Sequence, residues 1–85
     1  MSLFRVEWEE EGENELANIW TVAPDRAAVS RAALEADRIL ERDPVAIGTE
    51  LSEGLYRIVI EPLIIHYEID NQQKLVKVTR VARLP

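Results

Sequence analysis

The chain has no cysteine, a single histidine and only three glycines. Without cysteine there is no disulfide and no thiolate metal site, and a reducing cytoplasmic setting is permitted. Long apolar runs are missing too, for no stretch approaches the roughly 18 residues of a membrane span. The opening MSLFRVEWEEEG lacks the basic flank and apolar core of a signal peptide. A soluble intracellular protein with no membrane attachment is the simplest reading. Also absent are a glycine-rich phosphate loop, a nucleophile motif and zinc-ligand spacing, which removes the enzyme classes built on them. No repeat, low-complexity tract or Gly/Ser linker divides the chain.

What is present fits one domain over residues 1–85, large enough for a single modest core. The net charge of -6 argues against a generally basic nucleic-acid binder. Its distribution is uneven. Six glutamates crowd positions 7 to 15, whereas Lys74, Lys77, Arg80 and Arg83 are the only charged side chains after Asp70. The glutamates at 9 to 11, 13 and 15 have no histidine or aspartate at metal-ligand spacing, so they read as a solvated strand end and helix start.

LFRVEW alternates, with Phe4, Val6 and Trp8 on one side and Leu3, Arg5 and Glu7 on the other, and predicts a first strand from Ser2 to Glu9. Glu13 to Val22 carries Leu16, Ile19 and Trp20 at helical spacing. Pro24 interrupts, and Asp25 is placed to cap a second helix from Arg26 to Arg42. Its apolar stripe is Val29, Ala32, Ala33, Ala36, Ile39 and Leu40. After a loop through Gly48 come three alternating runs, Leu55 to Ile60, Leu63 to Ile69 and Leu75 to Ala82. Their connections are so short that only antiparallel hairpins fit. The expected architecture is α+β, two helices packed on one face of a four-stranded, largely antiparallel sheet.

With helices on one face only, the other is solvated or binds something. If Glu61-Pro62 is an even-length turn, Arg57 lies directly opposite His66. Apolar parity puts Tyr56, Ile58, Ile60, Leu63, Ile65, Tyr67, Ile69, Val76 and Val78 inward. The open face is then Arg5, Glu7, Arg57, His66, Glu68, Lys77 and Thr79, with Val81 outward and Arg80 on the wrong parity, at the sheet edge. Trp8 and Trp20 read as core anchors, and Tyr56 and Tyr67 as core side chains with hydroxyls at the rim.

The order strand, helix, helix, three strands, with ELANIW, AALEADRILERDP, GLYRIVIEPLIIHYEID and VKVTRVAR in sequence, resembles the RelE/ParE toxin superfamily of type II toxin–antitoxin systems. The resemblance spans nearly the whole chain and rests on the order and spacing of these pieces. It implies a cognate antitoxin as partner and no cofactor. It implies as target either ribosome-bound mRNA, cut by attack of a 2′-OH on its neighbouring phosphate, or DNA gyrase, inhibited without nuclease residues. Carried over by position, Arg57 matches the strand arginine that would contact the scissile phosphate, and Arg83 matches the basic residue after the last strand. Nuclease members follow it with a tyrosine or histidine for proton transfer, where this sequence has Leu84-Pro85. Ile64 also stands where many members carry an arginine.

The expected catalytic set is therefore Arg57, Arg83 and His66, with Lys77 and Arg5 as substrate-binding cations. Two alternatives stand beside it. Arg57 is either a phosphate contact or a cross-strand partner of Glu68 or Glu7, and His66 is either an acid–base group or a tolerated surface polar residue.

Overall fold

The computed structural model describes residues 3–85. Eight elements follow one another: β1 (Arg5–Trp8), α1 (Glu10–Val22), α2 (Arg26–Arg42), α3 (Pro44–Ile47), β2 (Thr49–Ser52), β3 (Leu55–Ile60), β4 (Leu63–Asp70) and β5 (Leu75–Arg83). The strands form one sheet in the order β1-β5-β4-β3-β2. The β2–β3, β3–β4 and β4–β5 pairs are antiparallel, and β1 runs parallel to β5. Among the described residues no helix is long and apolar enough to cross a membrane.

The α+β class and the two-helix layer agree with the sequence reading, but the sheet has five strands rather than four. The extra one, β2, is the stretch TELS, exposed at every position. A strand with no buried side has no apolar alternation to reveal it; β2 exists because its backbone pairs with β3. The expected first strand is shorter, and Ser2 lies outside the described residues. Helix α1 starts three residues earlier than predicted, at Glu10. Glutamates 10, 11 and 13 in its first turn oppose the positive end of the helix dipole.

The core lies between α2 and the sheet. Val29, Ala32, Ala36 and Leu40 of α2 meet Ile58, Ile60, Leu63, Ile65, Tyr67, Val76, Val78 and Val81. The alanines let the helix approach the strands closely. Trp8 is half-buried, and its indole N–H donates to Asp37 Oδ1 of α2 at 2.7 Å. Trp20 is not the core anchor expected of it. At 43 % exposure it lies over Arg26, whose guanidinium carbon is 4.6 Å from the ring centroid.

Gly48 joins α3 to β2 and meets the inward face of β4. Tyr67 is fully buried, its ring stacked on Tyr56 at 5.6 Å, and its hydroxyl donates to the Pro44 carbonyl at 2.7 Å. A Cβ at Gly48 would overlap that hydroxyl. The Tyr67 hydroxyl is thus an internal tie, not a group at the rim.

Candidate functional site

The site takes its form from the outer end of β5. Strand β1 pairs with β5 only from Leu75 to Val78, after which the chain turns away into α1. Among the described residues the outer edge of β5 beyond Val78 therefore has no strand neighbour, and α1 lies along it. Gly12 makes the close approach possible, since a Cβ there would sit 3.1 Å from the Val78 carbonyl oxygen. One turn further on, Glu15 accepts a hydrogen bond from the Val81 N–H at 2.8 Å. A helix carboxylate thus satisfies a backbone donor that a sixth strand would otherwise have taken.

The same end of β5 carries an irregularity that rearranges the open face. From Asp70↔Leu75 to Tyr67↔Val78 the β4–β5 ladder is regular, but the next pair is His66↔Arg80. Thr79 is the extra residue of a β-bulge, and its hydroxyl donates to the His66 carbonyl at 3.4 Å. Every later side chain of β5 changes face. Val81, expected outward, is 3 % exposed and packs in the core. Arg80, expected on the wrong parity, stands on the open face opposite His66.

Arg83 changes face as well. It pairs in register with the buried Leu63, and its Nη2 lies 2.9 Å from Asp25 Oδ1 and 3.0 Å from Oδ2. The expected grouping of Arg83 with Arg57 and His66 does not hold, because the bulge turns Arg83 to the helix side of the sheet and brings Arg80 to the open face in its place. Asp25 for its part makes no side-chain cap on α2. Its carboxyl, held below the usual range by the hydrogen bond from Arg83, ties the α1–α2 junction to the last strand.

The Arg57–His66 pairing stands as derived from the turn: the register places them directly opposite. Arg57, His66 and Arg80 therefore form one row across β3, β4 and β5, about 10 Å wide at the usual strand spacing. Arg57 is exposed and, among the described residues, pairs with no carboxylate. The cross-strand alternative for it is not realised. His66 is half-buried, with Nδ1 enclosed and, among the described residues, without a hydrogen-bond partner. A shallow cavity opens beside it, lined by Glu15, His66, Arg80, Val81 and Ala82. Lys77 lies on the same face in a second row, between Glu7 and Glu68. Arg5 is paired with Glu7 at 3.2 Å, away from the cavity.

Arg80 is the cation that sequence parity set aside, and it carries the densest electrostatics of the face. Its Nε lies 3.3 Å from Glu11 Oε1 and 3.0 Å from Glu15 Oε2, and its Nη2 lies 2.9 Å from Glu15 Oε2. These contacts raise the Arg80 pKa. The Arg80 hydrogen bond, helped by the Val81 N–H, lowers that of Glu15. Burial pushes the Tyr67 phenol up to about 12, so it stays a proton-bearing core group. Glu11 and Glu15 were missed as site residues because they read as part of a solvated acidic run. The available signal was their i,i+4 spacing around Gly12, which places two carboxylates on the same side of a helix that approaches a strand closely.

No protein-family model matches the chain, and no curated protein does. Solved structures do match in three dimensions. A chain of the RelBE2 toxin–antitoxin complex from Mycobacterium tuberculosis superposes with a TM-score of 0.80 at 21% identity, covering 98% of this chain and 93% of that one. The architecture is the RelE/ParE toxin fold. A chain of the chromosomal ParDE system of P. aeruginosa gives 0.73 at 14% identity, over 96% of this chain and 97% of that one. The archaeal RelE–RelB complex of Pyrococcus horikoshii OT3 gives 0.70 at 24% identity, over 94% and 93%. The RelE/ParE fold thus accounts for nearly the full length of both partners in each comparison, and the resemblance read from motif order holds at the level of fold.

Proposed function

We propose that this chain is the toxin of a type II toxin–antitoxin pair, held in check by a cognate antitoxin, and that its open face contacts the phosphodiester backbone of mRNA on the ribosome. The RelE/ParE fold, shared over nearly the whole chain with members of toxin–antitoxin complexes, is the observation that carries the toxin reading. The apolar groove between α1 and α2, where Trp20 and Leu34 are exposed at 43 % and 63 %, supports a protein partner.

The row Arg57–His66–Arg80 supports the RNA reading. In the proposed cut the 2′-oxygen forms a bond to the adjacent phosphorus and the bond to the 5′-oxygen breaks, leaving a 2′,3′-cyclic phosphate and a 5′-OH. The His66 imidazole accepts the 2′-OH proton, and the leaving oxygen takes one from solvent. Arg57 and Arg80 stabilise the charge that builds on the phosphoryl oxygens. Arg83 acts in this scheme as a structural tie to Asp25, and Lys77 extends the cationic track.

A second reading, a non-catalytic toxin that binds gyrase or only its antitoxin, is favoured by one observation: Arg80 and Arg83 are both engaged by carboxylates of this same chain. Expression of the chain alone, with and without the product of the neighbouring reading frame, tests the toxin assignment by growth arrest and its relief. Mapping of translated messages then separates the targets. Cleavage lost in Arg57→Ala supports the nuclease; arrest with intact mRNA and impaired supercoiling by purified gyrase overturns it.

A further inference from the structure

Two carboxylates on a helix and one guanidinium on a strand edge meet at the rim of the cavity beside His66. Arg80 offers five N–H donors, and the Nε–Nη2 edge, which best matches an anion with two oxygens, is occupied by Glu15 with Glu11 adding to Nε. Glu15 is itself held in place, because Val81 N–H bonds the same carboxylate at 2.8 Å. Close approach of α1 at Gly12 fixes the distance. Glu11 and Glu15 are i,i+4 neighbours, a like-charged pair that repels unless a cation lies between them, and Arg80 supplies that cation.

We propose that Glu11 and Glu15 are specificity-determining residues of the open face: they hold the place on Arg80 that a phosphate group would take, so a polyanion binds only by displacing them. This rests on the reading of the row Arg57–His66–Arg80 as a phosphate-contacting surface. The arrangement is suited to exchange. The Arg80 side chain is 59% exposed, that of Glu11 65% and that of Glu15 26%, so Arg80 can swing to a ligand while Glu15 stays on the Val81 N–H, and the exposed pair with Glu11 shifts an equilibrium only about one- to fivefold. A chain presenting several phosphates to Arg57, Arg80 and Lys77 together outcompetes the carboxylates, whereas an isolated phosphate does not. The face thereby rejects the small anions of the cell and accepts a backbone presented in register with all three cations.

Binding of a fluorescein-labelled oligouridylate, followed by anisotropy at low salt, tests the proposal on the full chain and its variants. Glu15→Gln keeps an oxygen for the Val81 N–H while removing the charge, and Glu11→Gln leaves that backbone bond untouched, so both chains should still melt cooperatively, with the midpoint lowered only by the lost charge facing Arg80. The E11Q/E15Q chain is expected to bind about three- to tenfold more tightly. The E9Q/E10Q chain removes the same net charge from exposed positions that touch no arginine, and should gain much less. Adding Arg80→Ala to E11Q/E15Q should abolish the gain. An equal gain in both double variants means only the overall charge matters and overturns the proposal. Weaker binding by E11Q/E15Q shows that the carboxylates position Arg80 for its ligand, and overturns it as well. If Arg57→Ala lowers affinity while E11Q/E15Q changes nothing, the carboxylate role fails and the phosphate-contacting reading stands. If neither variant changes a weak background signal, both fail.

Discussion

Arg80 stands opposite His66 on the open face, one residue out of step with the regular ladder between β4 and β5. Counted straight back from Asp70↔Leu75, the partner of His66 would be Thr79. The bulge absorbs Thr79, turns Val81 into the core and brings a second arginine into the row begun by Arg57. A single inserted residue thus puts Val81 in the core and decides that Arg80, not Arg83, shares the open face with Arg57 and His66.

If Thr79 is the inserted residue, its deletion should leave the facing of its neighbours intact, because Val78 would still pair with Tyr67 and Arg80 with His66. The deletion variant is expected to melt cooperatively with Val81 buried, and amide exchange along β5 would show it. Exposure of Val81, read as loss of protection through the second half of β5, would contradict the assigned register.

The two arginines of β5 should behave differently. Arg80→Ala, like Arg57→Ala, is expected to weaken single-stranded RNA binding and to lower the slope of log affinity against log salt by about 0.7. Arg83→Ala should leave that slope unchanged and lower the melting temperature slightly through loss of the contact with Asp25. Salt titrations of the three variants decide it.

Gly48→Ala should destabilise the fold by about 1–3 kcal/mol, the usual range for forcing an extra carbon into a packed site. Tyr67→Phe alone should cost about 1 kcal/mol, the net worth of the hydrogen bond to Pro44. The double variant should be less destabilised than the sum, since removing the hydroxyl frees part of the space that the alanine methyl needs. Denaturant melts of the four chains complete the cycle.

Glu15 and Asp25 both have folded-state pKa values below their ordinary 4.5 and 3.8. A depressed carboxyl binds more protons in the unfolded chain. Its contribution is therefore full above the unfolded pKa and is lost as pH falls through the folded one. Stability is expected to hold from neutral pH to about 4.5 and to fall below it, more shallowly in Glu15→Gln. Urea midpoints measured across that range check the sign; a stability that rises on acidification would refute it.

Much of this protein is dictated by local pattern. The alanine-rich stripe of α2, the alternation of β3 and β4 and the two-residue turn at Glu61-Pro62 determine a helix layer on a sheet, and turn parity alone aligns Arg57 with His66. These features depend on residues near one another in sequence, where period and turn length settle the outcome. The rest is non-local. Strand β2 is fully exposed and exists only through its backbone bonds to β3, so side-chain pattern could not announce it. The bulge at Thr79 is settled where β5 meets both β4 and α1, and with it the facing of Arg80, Val81 and Arg83. The pairing of Arg80 with Glu15 spans 65 positions. Sequence determined which residue types were available to form a cationic row. Only the tertiary structure decided which arginine joined it, because a one-residue irregularity reverses the facing of every side chain beyond it.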